Sequence, residues 1–89
     1  MKVFKVYDDE WSEIMGRQQL KEFAISQVWN CPDDFIRENL EITVEEKDLD
    51  KILKISKEIL EQDCPKLSLK DAKLLLMARC FDVEEVELY

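Results

Sequence analysis

The chain contains no histidine and a single glycine, Gly16. The first absence removes the commonest general acid–base residue and metal ligand, and with it every Ser–His or Cys–His nucleophile pair. The second removes the glycine-rich loops that cradle phosphates. Prolines number two, Pro32 and Pro65, with no low-complexity stretch and no internal repeat, so connections between elements must be short. Cysteines number three, Cys31, Cys64 and Cys80. They are odd in number, widely spaced and without a Cys-x-x-Cys pair, which argues against both a disulfide framework and a zinc site. No apolar run approaches the roughly 18 residues that a membrane span needs, and the opening "MKVFKVYDDEW" has no signal-peptide core. The expected location is the cytoplasm.

What remains is apolar residues and charge. At 46% hydrophobic and 38% charged, the 89 residues are too apolar for a disordered acidic tail and should fold as one compact acidic domain, 1–89. A domain of this size buries roughly 60–65% of its unfolded surface, leaving a thin core. The 21 acids outnumber the 13 bases, for a net charge of −8. That charge opposes direct contact with nucleic acid or anionic lipid and favours a protein partner with a basic surface.

The pattern predicts an α+β fold, mostly helical, with three to four helices packed on a small two-stranded sheet formed by the N- and C-terminal strands. Lys2–Tyr7 is β-rich. In "DVEEVELY", Val86 and Leu88 alternate with Glu85 and Glu87, and Lys2 and Lys5 could face Glu84, Glu85 or Glu87 across the pair. The direction of pairing is open. Arg17–Trp29 reads as a helix, with Leu20, Phe23, Ala24 and Val28 on one face. Pro32 with Asp33 and Asp34 starts a short second helix carrying Phe35, Ile36, Asn39 and Leu40.

Thr43-Val44-Glu45-Glu46 fits a capping box for a long helix from Val44 to about Gln62. In that helix Leu49, Ile52, Leu53, Ile55, Ile59 and Leu60 fill one arc and charges the other. Intrahelical ion pairs are expected from Lys47 and Lys51 to Asp50, and from Lys54 to Glu58 and Asp50. Ser56 lies in the apolar arc, where its hydroxyl can bond back to the backbone. Cys64-Pro65 interrupts the pattern, and Ser68 with Asp71 caps a last helix running to about Cys80. That helix is apolar nearly all round, which makes it central or partly exposed at an interface. Cys80 reads as a small core residue.

One stretch stands apart. Asp8-Asp9-Glu10-Trp11-Ser12-Glu13 holds four acids around a tryptophan with no base. Its spacing fails the calcium-loop pattern, which needs alternate oxygens, a central glycine and a distal glutamate. Its plainest role is a solvated turn whose acids stabilise the start of the first helix. Cys31-Pro32 and Cys64-Pro65 repeat a dipeptide of haem-regulatory type, but without histidine as second ligand no cofactor is expected. Acids group into three patches: Asp8 to Glu13; Asp33, Asp34, Glu38, Glu41, Glu45 and Glu46; and Asp82 to Glu87. If the first two share a face, they space carboxylates as a nucleic-acid backbone spaces phosphates. Candidate contacts are therefore Asp8, Asp9, Glu10, Trp11 and Glu13, then Asp33, Asp34, Glu38 and Glu41. Trp29, off the stripe of its helix, is either packed on a loop or an interface anchor.

In size, acidity and lack of histidine the chain resembles small phage or mobile-element proteins that inhibit host enzymes, including anti-restriction and anti-CRISPR proteins. The resemblance carries no motif. It implies a non-enzymatic acidic inhibitor that occludes a basic nucleic-acid-binding partner. The alternative is a structural or regulatory subunit that docks or dimerises through the apolar helix 69–80, so the chain is expected as monomer or homodimer.

Overall fold

A computed structural model describes residues 1–62 and 66–87. The Cys64-Pro65 break and the Leu88 strand position lie outside the described residues. Lys2–Tyr7 forms β1, Ser12–Met15 forms β2, and α1 follows at Arg17–Asn30. A 3₁₀ turn at Pro32–Phe35 leads into α2 (Arg37–Thr43), α3 (Glu46–Glu61), α4 (Leu69–Ala78) and β3 (Asp82–Glu87). The fold is α+β and mostly helical, as the pattern predicts.

The sheet has three strands rather than two, in the order β2-β1-β3 and antiparallel throughout. The added strand comes from a hairpin. At its turn the amide of Asp8 donates to the carbonyl of Trp11 at 2.8 Å, which reverses the chain and lays Ser12–Met15 beside β1. β1 sits in the middle because it is the most apolar strand, with Val3, Phe4 and Val6 buried. Its two flanks differ. On the β3 side, Lys2 stands opposite Glu87 and Lys5 opposite Glu84, the charge-complementary register expected from sequence.

Side chains alternate across a strand, so Phe4 and Val6 share the face that meets the helices. Phe4 carries the Lys73 ammonium 5.0 Å above its ring, which ties β1 to α4. Leu20, Ala24 and Val28 of α1 meet Leu49, Ile52, Ile55 and Ile59 of α3 and Ala72, Leu75 and Leu76 of α4 in one core. Helix α4 is the centre of it. Its all-round apolar pattern follows from packing against α1, α2, α3 and β3, and Met77 is its one exposed large apolar residue, at 52%.

Helix starts depart from the expected caps at one place. Thr43 does not cap α3; it ends α2, and its hydroxyl donates back to the Leu40 carbonyl. Glu45 occupies the N-cap without a side-chain bond, because its carboxylate turns to the Lys47 ammonium at 3.1 Å and raises that group's pKa above its ordinary value. The Ser68 cap is as expected, its hydroxyl accepting from the Asp71 amide at 3.1 Å. The second helix is split at Ile36, whose extended backbone separates the 3₁₀ turn from α2. Ion pairs run between elements rather than along α3: Asp50 takes Arg37, and Lys51 takes Asp71.

Ser56 is 3% exposed, and its hydroxyl has no partner among the described residues, contrary to the back-bonding expected of it. An unpaired buried hydroxyl costs free energy that an alanine would not. Ser56→Ala should therefore raise the unfolding free energy by about 1 kcal/mol, partly through helix propensity, and a higher urea midpoint at unchanged slope would show it.

Candidate functional site

The C-terminal end of β1 is where the elements of interest converge. Tyr7, its last residue, lies between Ser12 of β2 and Asp82 of β3. The hairpin turn projects beyond Tyr7, and α4 arrives alongside before turning into β3. Asp8 organises that turn: one of its carboxylate oxygens accepts the backbone amides of Glu10 at 2.9 Å and Trp11 at 2.8 Å. This is an Asx-type turn, the local bonding for which aspartate is favoured. The acids thus do not serve the start of α1, which has no acidic residue in its first turn. Strand β2 intervenes, and Glu13 lies on it, exposed and opposite Val6.

With Asp8 bonded to its own turn, Asp8→Ala should cost about 1 kcal/mol of stability, while Asp8→Asn, which keeps the accepting oxygen, should cost less than half of that. Denaturant titration of the two variants separates the roles of oxygen and charge. Equal losses in both would mean that the charge, not the acceptor, holds the turn.

Helix α4 ends in a Schellman arrangement. The Phe81 amide reaches the Leu76 carbonyl and the Cys80 amide reaches that of Met77, both at 3.0 Å. Cys80 occupies the left-handed position at φ 64°, where glycine is the usual choice. It is exposed, not a core residue as the sequence suggests, because the helix stops at Ala78 and the turn faces outward. Cys80→Gly should raise stability by about 1 kcal/mol by relieving that conformation, measurable as a higher midpoint of thermal unfolding.

This turn places Arg79, Cys80 and Asp82 against the hairpin. Together with Asp8, Asp9 and Glu10 they line a concavity of about 320 Å³, bordered by four acids and one arginine. Arg79 stands at the C-terminal end of α4, where the helix dipole favours a cation. Its guanidinium pairs with the Asp34 carboxylate, and its Nε donates to Gln27 of α1 at 3.4 Å. Arg79 and Cys80 also line an adjoining groove with Asp34, Asn39 and Thr43. Asp34 of the second patch is therefore joined to the first patch through Arg79.

No protein-family model, curated protein or solved structure matches the chain.

Trp11 is neither buried nor free. Its indole stacks on Phe23 of α1, centroids 5.5 Å apart at 29°, and meets the edge of Phe81 at 5.8 Å. Phe23 and Phe81 meet edge-on at 5.5 Å, closing a three-ring cluster. Trp11 keeps 39% of its surface exposed. Backing of this kind fixes the ring's position before any partner arrives.

The remaining candidates are elsewhere. Asp33 is exposed, and its backbone carbonyl accepts from the Asn39 side chain at 2.6 Å. Glu41 pairs with Arg37 at 3.5 Å and borders a different groove, with Val44, Glu46 and Leu49. Glu38 is exposed on α2. Trp29 is half exposed near the end of α1. Sequence reasoning did not select Arg79, Phe23, Phe81 or Asp82 for this end. The signal available was weak: Asp82 belongs to the third acidic patch, and nothing in its spacing pairs it with Asp9. Among the described residues no group of three acids or cysteines is placed to hold a metal ion, and no helix is long and apolar enough to cross a membrane.

Proposed function

We propose that the protein is a non-enzymatic binding module, an acidic inhibitor of phage or mobile-element type that occludes a basic, nucleic-acid-binding protein partner in the cytoplasm. The observation that supports this reading is the gathering of Asp8, Asp9, Glu10 and Asp82 at one end around a concavity that Arg79, the partner of Asp34, also lines. A carboxylate-rich end with a backed, half-open tryptophan supplies both parts of an association. Charge steers the encounter, and the aromatic ring gives desolvated contact area. The partner's nucleic-acid channel attracts such an end by the same forces that attract phosphates.

The test is competition. The chain, immobilised, is used to capture its partner from a lysate of its host, and the captured protein is challenged with nucleic acid. Release that rises with nucleic-acid concentration supports shared use of one basic surface. A ternary complex of the chain, its partner and nucleic acid contradicts it.

Docking through 69–80 is the second reading, and α4 has little surface left for it. Leu75 and Leu76 are fully buried, leaving Met77 and the half-buried Leu69 and Leu74 as its apolar exposure.

A further inference from the structure

We infer that the groove between α3 and the 3₁₀ turn receives a tyrosine side chain of a protein partner, its phenol hydroxyl bonded to that of Ser56. The inference takes from the proposed function only that the chain binds a protein, and this groove shares no residue with the acidic end. Its volume is about 410 Å³, within the range of roughly 300–1,000 Å³ usual for ligand sites. Leu53, Ser56, Lys57, Leu60 and Glu61 line it from one face of α3, at the i, i+3, i+4, i+7, i+8 spacing. Pro32 and Phe35 line it from the 3₁₀ turn.

Three observations define the occupant. The first is a buried polar group left without a partner. Ser56 is 3% exposed, and its hydroxyl bonds to nothing among the described residues, an arrangement that costs stability in the free chain. A second hydroxyl satisfies it fully, since each can donate and accept, whereas a phenylalanine or leucine side chain would leave it unpaired. The second observation is the apolar lining. Phe35, Leu53, Pro32 and Leu60 suit a ring with an apolar body and a polar tip. Pro32 and Leu60 are exposed in the free chain, so the groove does not enclose a small ligand but offers surface that a side chain projecting from a partner covers. The third is charge. Lys57 and Glu61 are exposed, opposite in sign, and without an ion pair within 4 Å among the described residues. One charge of each sign opposes a charged occupant and admits a neutral one. The Lys57 ammonium can then lie over the ring, the contact that Lys5 makes with Tyr7 at 5.1 Å and Lys73 with Phe4 at 5.0 Å.

The probes are N-acetyl-tyrosinamide and N-acetyl-phenylalaninamide, which differ by the one hydroxyl, titrated into the intact chain and followed by its backbone amide resonances. Both should shift the resonances of Phe35, Leu53, Ser56 and Leu60 and leave those of Asp8, Asp9 and Glu10 in place. The tyrosine amide should bind at roughly millimolar concentration and about fivefold more tightly than the phenylalanine amide, the effect of one buried hydrogen bond. Ser56→Ala should bring the two affinities within about twofold while its own urea midpoint rises. Leu60→Asn, at an exposed position of the wall, should weaken both probes.

Equal affinities for the two amides, or a preference for tyrosine that survives Ser56→Ala, overturn the inference. Binding of neither probe overturns it as well, the Ser56 hydroxyl then being met by water alone. So does a fall in the urea midpoint of Ser56→Ala, which would place the partner of that hydroxyl within the chain. None of these outcomes bears on the acidic end, and competition between nucleic acid and the captured partner decides separately on the proposed function.

Discussion

Leu75→Ala lowers the unfolding free energy by about 3 kcal/mol, while Met77→Ala, two residues further along α4, changes it by less than about 0.5 kcal/mol. The contrast follows from burial. Leu75 is fully enclosed by the core, so truncation removes apolar contact and leaves a cavity that the surrounding helices fill only in part. Met77 is 52% exposed, and its loss uncovers little. A domain of this length has about 5–10 kcal/mol of stability, so the Leu75 change should lower the melting temperature by roughly 10–20 °C. Thermal unfolding of both variants, with sedimentation of the unaltered chain at micromolar concentration, tests the central placement of α4. A stable dimer that Met77→Ala dissolves would instead favour docking through 69–80.

The second large effect concerns association. Reversing Asp9, Glu10 and Asp82 to lysine should weaken partner binding about a hundredfold at low salt, taking each reversed charge at about 1 kcal/mol. The effect belongs to place, not to total charge. Reversing Glu58, Glu61 and Glu87, which are exposed on α3 and at the far end of β3, alters formal charge equally and should change affinity by no more than about threefold. Beyond a Debye length of roughly 10 Å, exposed charges contribute little at ordinary salt. Equal losses in the two triple variants would mean that net charge alone governs binding. None of the six side chains is buried, so both variants should keep their melting temperature to within a few degrees.

Much of the fold can be read from the sequence, and the reasons differ by element. Helix α3 is legible because Leu49, Ile52, Ile55 and Ile59 repeat at helical spacing against a charged outer face. The pairing of β1 with β3 is legible because lysines on one strand meet glutamates on the other. Strand β2 is not. Ser12-Glu13-Ile14-Met15 has one buried side chain, Met15, and no alternation, so its strand state comes from the Asp8 turn and the template of β1. The Thr43–Glu46 capping box fails for a related reason: the residues suit a cap, but Thr43 is already the last residue of α2.

The candidate site divides in the same way. Clustering of acids around Trp11 is visible in six consecutive residues. Its completion depends on Arg79, Phe81 and Asp82 arriving from some seventy residues away and on Phe23 from α1, contacts that only the tertiary fold makes. Glu38 and Glu41 look in sequence like members of the same patch as Asp34. They lie on α2, and Glu41 is engaged by Arg37 rather than by the Arg79 junction.

The central claim is that this one end engages a basic partner by charge. Its most direct test is the affinity of the captured partner for the unaltered chain and for the Asp9/Glu10/Asp82 lysine variant, each across a series of salt concentrations. Affinity of the unaltered chain should fall steeply as salt rises, and the variant should start far weaker and show a much shallower dependence. Two parallel salt dependences with the same low-salt affinity would contradict the account.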